Sequence, residues 1–360
     1  MADRSLRSFS VLGLVLFFIF PPPVYPADEA AKTRPAYLLS SEKLFTDTLA
    51  DNRIYQSILS DFELEQMRAL RAEIEARDEL GELSAREVEL SARIEYREQL
   101  EDFLLDLLDS AFAVETALLD REAAQLGLKI AEEDLRQSRA RFSSGQIPRT
   151  ELMEAEVAFK TAELARETAL WNYQDAEQDF LQIAEIPWQP DLLPSAETAE
   201  RPVLDAESWF RGDATVRRAE LRLKQRQLHL QGLPSNTPLF SRRLAEKEEE
   251  QARLAFDREI SLSERRFEQL RRTIYQEGET LKLRADEIAV YSELVKTAER
   301  NLEQGLITQG AFERIRVQLL QAERRARQTL QKYLSALISY SIWTEEISHI
   351  MTDQPGGESP

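Results

Sequence analysis

Apolar side chains recur along this chain at alternating three- and four-residue steps, the seam that lets helices pack side by side over many heptads. One run comprises Leu104, Leu107, Ala111, Val114 and Leu118 and, after a phase shift, Leu128, Ala131, Leu135, Ser138 and Phe142. A second comprises Leu152, Ala155, Phe159, Ala162, Arg166, Ala169, Tyr173, Ala176, Phe180 and Ile183, with alanine at every second seam position so that two helices approach closely. Arg166 is the one polar intrusion, and its stem reads as snorkelling to the seam edge.

The pattern predicts these elements in order. A helical stretch runs from Leu38 to Arg77, and Asp78 to Ser84 interrupts it, with Gly81 as a C-cap and Ser84 and Glu87 as a capping box. A long helix starts near Ala85 and runs to Ser143; Gly127 alone costs about 1 kcal/mol against alanine and does not end it. The segment Arg141 to Leu152 is a tip, with Pro148 in the first turn of the return helix, where its missing N–H is harmless. Four prolines between Ile186 and Glu207 make a linker. Helices then follow over Ala214 to Gln231, about Arg242 to Gln304, and Gly310 to about Met351, with Gly232 to Phe240 as a break.

Placing Gly145 on Gly305, a shift of 160 positions, superposes both tips and both seams without a gap. Leu152, Ala155, Phe159 and Ala162 fall on Phe312, Ile315, Leu319 and Ala322, and Tyr173, Ala176 and Phe180 on Tyr333, Ala336 and Tyr340. The shift is not a multiple of seven, so heptad periodicity alone does not produce it, and Gly-x-Ile recurs at both tips (Gly145, Ile147; Gly305, Ile307). The expected fold is all-α: two tandem long antiparallel coiled-coil hairpins with little or no β structure. The expected divisions are a signal peptide over residues 1–27, a first helical repeat over 28–185, a Pro-rich linker over 186–207, a second repeat over 208–351 and a disordered tail over 352–360.

Composition narrows the function. A formal net charge of -19 argues against nucleic-acid binding, which needs clustered Lys and Arg. The chain has no cysteine, hence no disulfide or thiolate site. Arg4 and Arg7 precede an apolar run from Val11 to Phe20 and then prolines, which reads as a secretory signal peptide with cleavage after Ala27. The run is too short for a spanning helix, which needs roughly 20 residues.

Constellations for chemistry are missing. The two histidines, His229 and His349, lie far apart, and no Gly-rich phosphate loop opens a helix. No catalytic residue, metal ligand or cofactor is expected, and the chain does not read as an enzyme. Tyr333, Tyr340 and Trp343 read as core. The candidate site is the pair of hairpin tips, an exposed feature that occurs twice: Arg141, Ser143, Ser144, Gly145, Ile147, Thr150 and Glu151 at the first, Gly305, Ile307, Thr308, Gln309 and Gly310 at the second.

These tips carry a family resemblance. Arg139-Ala-Arg-Phe-Ser-Ser-Gly-Gln-Ile-Pro-Arg-Thr-Glu-Leu-Met-Glu-Ala155 resembles the hairpin tip of the TolC family of outer-membrane efflux proteins, and Ala298-Glu-Arg-Asn-Leu-Glu-Gln-Gly-Leu-Ile307 its duplicate. Thr48-Leu-Ala-Asp-Asn-Arg-Ile-Tyr55 is similar to the start of the family's N-terminal helices, and the resemblance extends from about Tyr37 to Ile347. It implies a homotrimer whose hairpins close into a periplasmic tunnel associated with the outer membrane, with tips that dock a periplasmic adaptor protein and an inner-membrane transporter. Family members also insert two barrel strands before each long helix. Here those positions hold only Asp78 to Ser84 and Gly232 to Phe240, too short for two strands of about 9–11 residues each. Thr237-Pro-Leu-Phe240 resembles the end of the family's second strand segment, with Ser241-Arg-Arg243 in place of its glycines. A separate outer-membrane barrel partner is therefore a further expectation, and the alternative function is a barrel-less periplasmic coiled-coil spacer or scaffold without channel activity. Ala311 and Arg314 stand where the family often has constricting acids, whereas Thr150-Glu151 is retained.

Overall fold

The computed structural model describes residues 36–49, 51–194 and 204–344, with side chains from residue 43 onward. The expected signal peptide, part of the Pro-rich linker and the C-terminal tail lie outside the described residues. Within them the chain forms α1 (Ala36–Leu49), α2 (Arg53–Glu75), α3 (Glu79–Ser143), α4 (Arg149–Ala184), a 3-10 turn at Pro190–Leu192, α5 (Ala206–Gly212), α6 (Ala214–Gln231), α7 (Leu239–Glu303) and α8 (Gln309–Trp343). There is no β-strand among the described residues.

The two longest helices, α3 and α7, each have 65 residues and so extend roughly 97 Å at 1.5 Å per residue. α4 has 36 residues and α8 has 35, little more than half that length. The remainder of each long helix is covered by a second, shorter helix: α2 packs on α3, and α6 packs on both α7 and α3. Each hairpin is thus one long helix backed by two shorter helices set end to end. Because α3 also packs on α8, the order across the tip half is α4, α3, α8, α7, and across the other half α2, α3, α6, α7.

The predicted seam faces inward except at its tip end, where Phe142 is exposed. Leu104, Leu107, Ala111 and Val114 are buried on α3, and Ala169 and Phe180 on α4, while Arg166 is exposed. The core is densest at the waist, where the shorter helices meet: Leu108, Phe112, Phe180, Leu192, Trp209, Leu281, Tyr333, Leu337 and Tyr340 form one cluster. Burial there pushes the Tyr333 hydroxyl up to about 12.

Several local expectations are corrected. The N-terminal stretch is two helices, not one, because Asn52 caps α2: its side chain accepts from the Tyr55 N–H and donates to the Ile183 carbonyl at 2.7 Å. α3 begins at Glu79, and the Asp78 carboxylate, accepting from the Gly81 N–H, caps it where the Ser84 capping box was expected. Gly81 consequently lies in the first turn of the helix. α5 was not anticipated; Asp205 caps it through the Glu207 and Ser208 N–H groups.

Candidate functional site

Both tips are built the same way. Gly145 and Gly305 adopt positive φ, 73° and 72°, the left-handed conformation that glycine takes without a Cβ penalty. The Gly145 N–H donates to the Phe142 carbonyl and the Gln146 N–H to that of Arg141, both at 2.9 Å. At the second tip Gly305 donates to Leu302 and Leu306 to Asn301, at 2.9 and 2.8 Å. This is the Schellman closure, which satisfies the carbonyls a helix end leaves open. The return helices start from Pro148, which has no side-chain cap, and from Thr308, whose hydroxyl accepts from the Ala311 N–H.

Of the twelve candidate residues, Arg141, Ser143, Ser144, Gly145, Thr150 and Glu151 are exposed at the first tip, and Gly305, Thr308 and Gln309 at the second. Ile147 is buried, Ile307 half-buried and Gly310 buried, so these three shape the turns from within. The tips are not level. A Cβ built on Gly310 would lie 3.7 Å from the Glu133 side chain, which places the start of α8 beside a point well inside α3. Counting residues from each turn, the first tip stands on the order of 10 Å beyond the second.

The hairpins are fastened by a ladder of side chains from α8 to α3. Arg314 meets Asp134 at 2.7 Å, Arg316 meets Glu122 at 3.2 Å, Arg324 meets Asp120 at 3.3 Å and Arg327 meets Glu115 at 3.0 Å. Toward the waist Gln331 donates to Asp109 at 2.8 Å and the Trp343 indole to Glu101 at 2.9 Å. The outer rungs are about half exposed and worth roughly 0–1 kcal/mol each. The Glu115 rung differs. Burial raises its carboxyl pKa against the opposing pull of Arg327, Glu323 adds to the rise, and one carboxylate oxygen is buried without a hydrogen-bond partner among the described residues. Burial likewise raises Asp120 against Arg324, and burial together with Glu122 raises Glu323.

A second polar cluster locks the waist. Asp213, buried, caps α6 through the Thr215 and Val216 N–H groups, accepts from the Ser263 hydroxyl and pairs with Arg266 at 3.1 Å. The Trp209 indole donates to Ser263 at 3.1 Å, and Arg97 donates to the Gly212 carbonyl at 2.7 Å. These residues carry no sequence signal, because α3, α5, α6 and α7 each supply part of the cluster.

The outer edges were also missed. Val157, Leu164 and Trp171, one heptad apart, are 64%, 60% and 55% exposed on α4. Tyr275, Leu283, Val290 and Leu294 are exposed on the far edge, α7. A second stripe midway between the seam positions, at 157, 164 and 171, was the available signal. The two edges lie on opposite sides of the row and present different sequences.

By sequence, no family model and no curated protein matches the chain. By structure it is similar to several solved membrane proteins. The Campylobacter jejuni CmeC outer membrane channel aligns with a TM-score of 0.56 and 10% identity over 87% of this chain and 89% of that one. The outer membrane protein VceC of Vibrio cholerae gives 0.56 and 11% over 84% and 97%, and a membrane protein from Pseudomonas aeruginosa 0.54 and 13% over 85% and 90%. The likeness shows the fold: the chain has a TolC-like, all-α hairpin architecture. No described helix is long and apolar enough to cross a membrane, a statement that does not bear on a β-barrel.

Proposed function

We propose that this chain is the protomer of a TolC-like export duct in the cell envelope, in which three copies close into a hollow helical barrel. The observation that carries the proposal is the pair of unlike apolar edges. Long hydrophobic stripes left open on α4 and α7 call for a partner, and one edge fits the other only head to tail, the arrangement that generates a ring when the rotation closes. Once the stagger of the hairpins is allowed for, Leu164 stands level with Leu294 of an adjoining copy, and Trp171 falls between its Leu283 and Val290. The fold shared with proteins described as outer membrane channels agrees with this use.

In this reading the tips point to the inner membrane and meet a periplasmic adaptor protein and an inner-membrane transporter. Exposed Arg141, Ser143, Ser144, Thr150 and Glu151 lead, because the first tip projects farther. Substrates traverse the lumen without chemistry, so no residue is assigned a catalytic role. The test is whether an edge variant such as Leu164→Glu loses the ring and export together. Loss of the ring with export intact would overturn the proposal.

A second reading is supported by the short connections α2–α3 and α6–α7, which leave no room for membrane strands: a periplasmic coiled-coil spacer that kept the hairpins. It predicts a folded protein that does not form rings and whose loss leaves export unchanged.

A further inference from the structure

The end opposite the tips carries a feature that the duct does not require. From Leu221 to Ala245 the chain contains no Asp or Glu, although the whole sequence holds 65 acids in 360 residues and a stretch of this length would ordinarily contain about four. The same stretch carries Arg222, Lys224, Arg226, His229, Arg242 and Arg243. It is the turn between α6 and α7 together with the adjoining ends of both helices.

Arg222 and Arg226 are spent on ion pairs with Glu87 and Glu248, at 2.6 and 3.0 Å, which hold α6 against α3 and α7. Lys224, Arg242 and Arg243 are exposed, and the described residues give them no acidic partner. Beside them, in the first turn of α7, stand Leu239 and Phe240, 66% and 79% exposed, and Phe240 is more exposed than any other large apolar side chain described. The neighbouring α2–α3 turn is not basic, since Asp78, Glu79 and Glu82 follow its Arg77, so the positive apolar surface is confined to the α6–α7 turn.

Two protruding apolar side chains with unpaired guanidinium groups one turn away are the chemistry of an interfacial membrane contact. The side chains enter the headgroup and acyl boundary, and the cations remain at the phosphates. We infer that the α6–α7 turn docks peripherally on an anionic lipid surface, with Leu239 and Phe240 inserted and Arg242 and Arg243 at the headgroups. This would let a chain with no membrane strand among its described residues hold its far end against a bilayer. It rests on the duct reading only for which membrane is met.

The test is co-sedimentation of the purified protein with phosphatidylcholine vesicles, with and without phosphatidylglycerol. The expected result is salt-sensitive binding only to the vesicles containing phosphatidylglycerol. Arg242→Gln with Arg243→Gln should weaken it roughly tenfold or more, and Leu239→Ser with Phe240→Ser by a similar factor, at unchanged helical content by circular dichroism. Leu283→Ser with Val290→Ser, on the edge of α7, should leave vesicle binding intact. Absence of binding by the unaltered protein, or binding that survives both turn variants, overturns the inference. So does a turn variant that loses only self-association, for then a second copy covers the pad. No adaptor or ring enters the assay, so its failure leaves the duct reading standing.

Discussion

Gly212 passes so close to Trp343 that a Cβ on the glycine would collide with the tryptophan's backbone carbonyl. This contact joins the end of α5 to the end of α8 at the waist, where the second hairpin's two shorter helices meet. Its opposite is Gly127, inside α3, with nothing within 4 Å of an added Cβ. Gly212→Ala should lower stability by at least about 2 kcal/mol, through backbone displacement at a packed joint. Gly127→Ala should raise it by about 0.5–1 kcal/mol. Thermal unfolding followed by circular dichroism should show shifts of opposite sign, and equal shifts would remove Gly212 as the joint.

Asp213 is the centre of the waist cluster, and its loss leaves Ser263 and two helix N–H groups without this acceptor and strips Arg266 of its carboxylate, leaving it the Thr215 hydroxyl. Asp213→Ala should cost about 3 kcal/mol, the sum of a lost cap and a part-buried cation without its partner. Ser263→Ala should cost less, about 1 kcal/mol, because it breaks one bond to Asp213 and one from Trp209. Urea denaturation midpoints would order the two; Ser263→Ala being the worse would contradict the assignment.

Glu115 gives a pH signature. Its carboxyl pKa is raised chiefly by burial, so the folded chain keeps a proton that the unfolded chain releases. This contribution to stability is therefore greatest in mild acid and is lost as pH rises from the ordinary glutamate range through the raised value. Glu115→Gln should remove that loss. Its melting temperature relative to the unaltered protein should be higher at pH 7.5 than at pH 4.5. Arg327, Glu323 and Glu122 face the same site and are unchanged in both proteins, so the difference isolates Glu115. A flat difference across this range would mean that the Arg327 pair outweighs burial.

At the tips the glycines have open space around them, so an added methyl meets only backbone strain. Gly145→Ala and Gly305→Ala should each cost about 1–2 kcal/mol, and asparagine, which tolerates the left-handed region, should cost less. Differential scanning calorimetry on the four single variants checks this. A cost several times larger would mean that the tips are packed rather than free.

Much of the fold was legible because a heptad seam is a local signal. Leu152, Ala155, Phe159 and Ala162 declared the inner face of α4 by spacing alone, Gly145 and Gly305 declared the turns, and the predicted bounds Ala214 and Gln231 are those of α6. What could not be read depends on partners distant in sequence. The break before α2 rests on Asn52 reaching Ile183, and the buried carboxylate of Asp213 on Ser263 and Arg266. The stagger of the tips rests on Gly310 beside Glu133, which no pattern within either hairpin encodes. Burial of Ile147 and Gly310 inside the tips has the same origin. The edge stripes of α4 and α7 were legible in principle but were hidden by the stronger seam beside them.

Closure of unlike edges into a ring of three can be read by cross-linking, which the absence of native cysteine makes clean. A chain carrying both Leu164→Cys and Leu294→Cys, treated with a short bismaleimide, has one thiol on each edge. Covalent species of one, two and three copies and nothing larger are expected, with single-cysteine chains that stay uncross-linked. Monomer alone, or a ladder that continues past three, would contradict it.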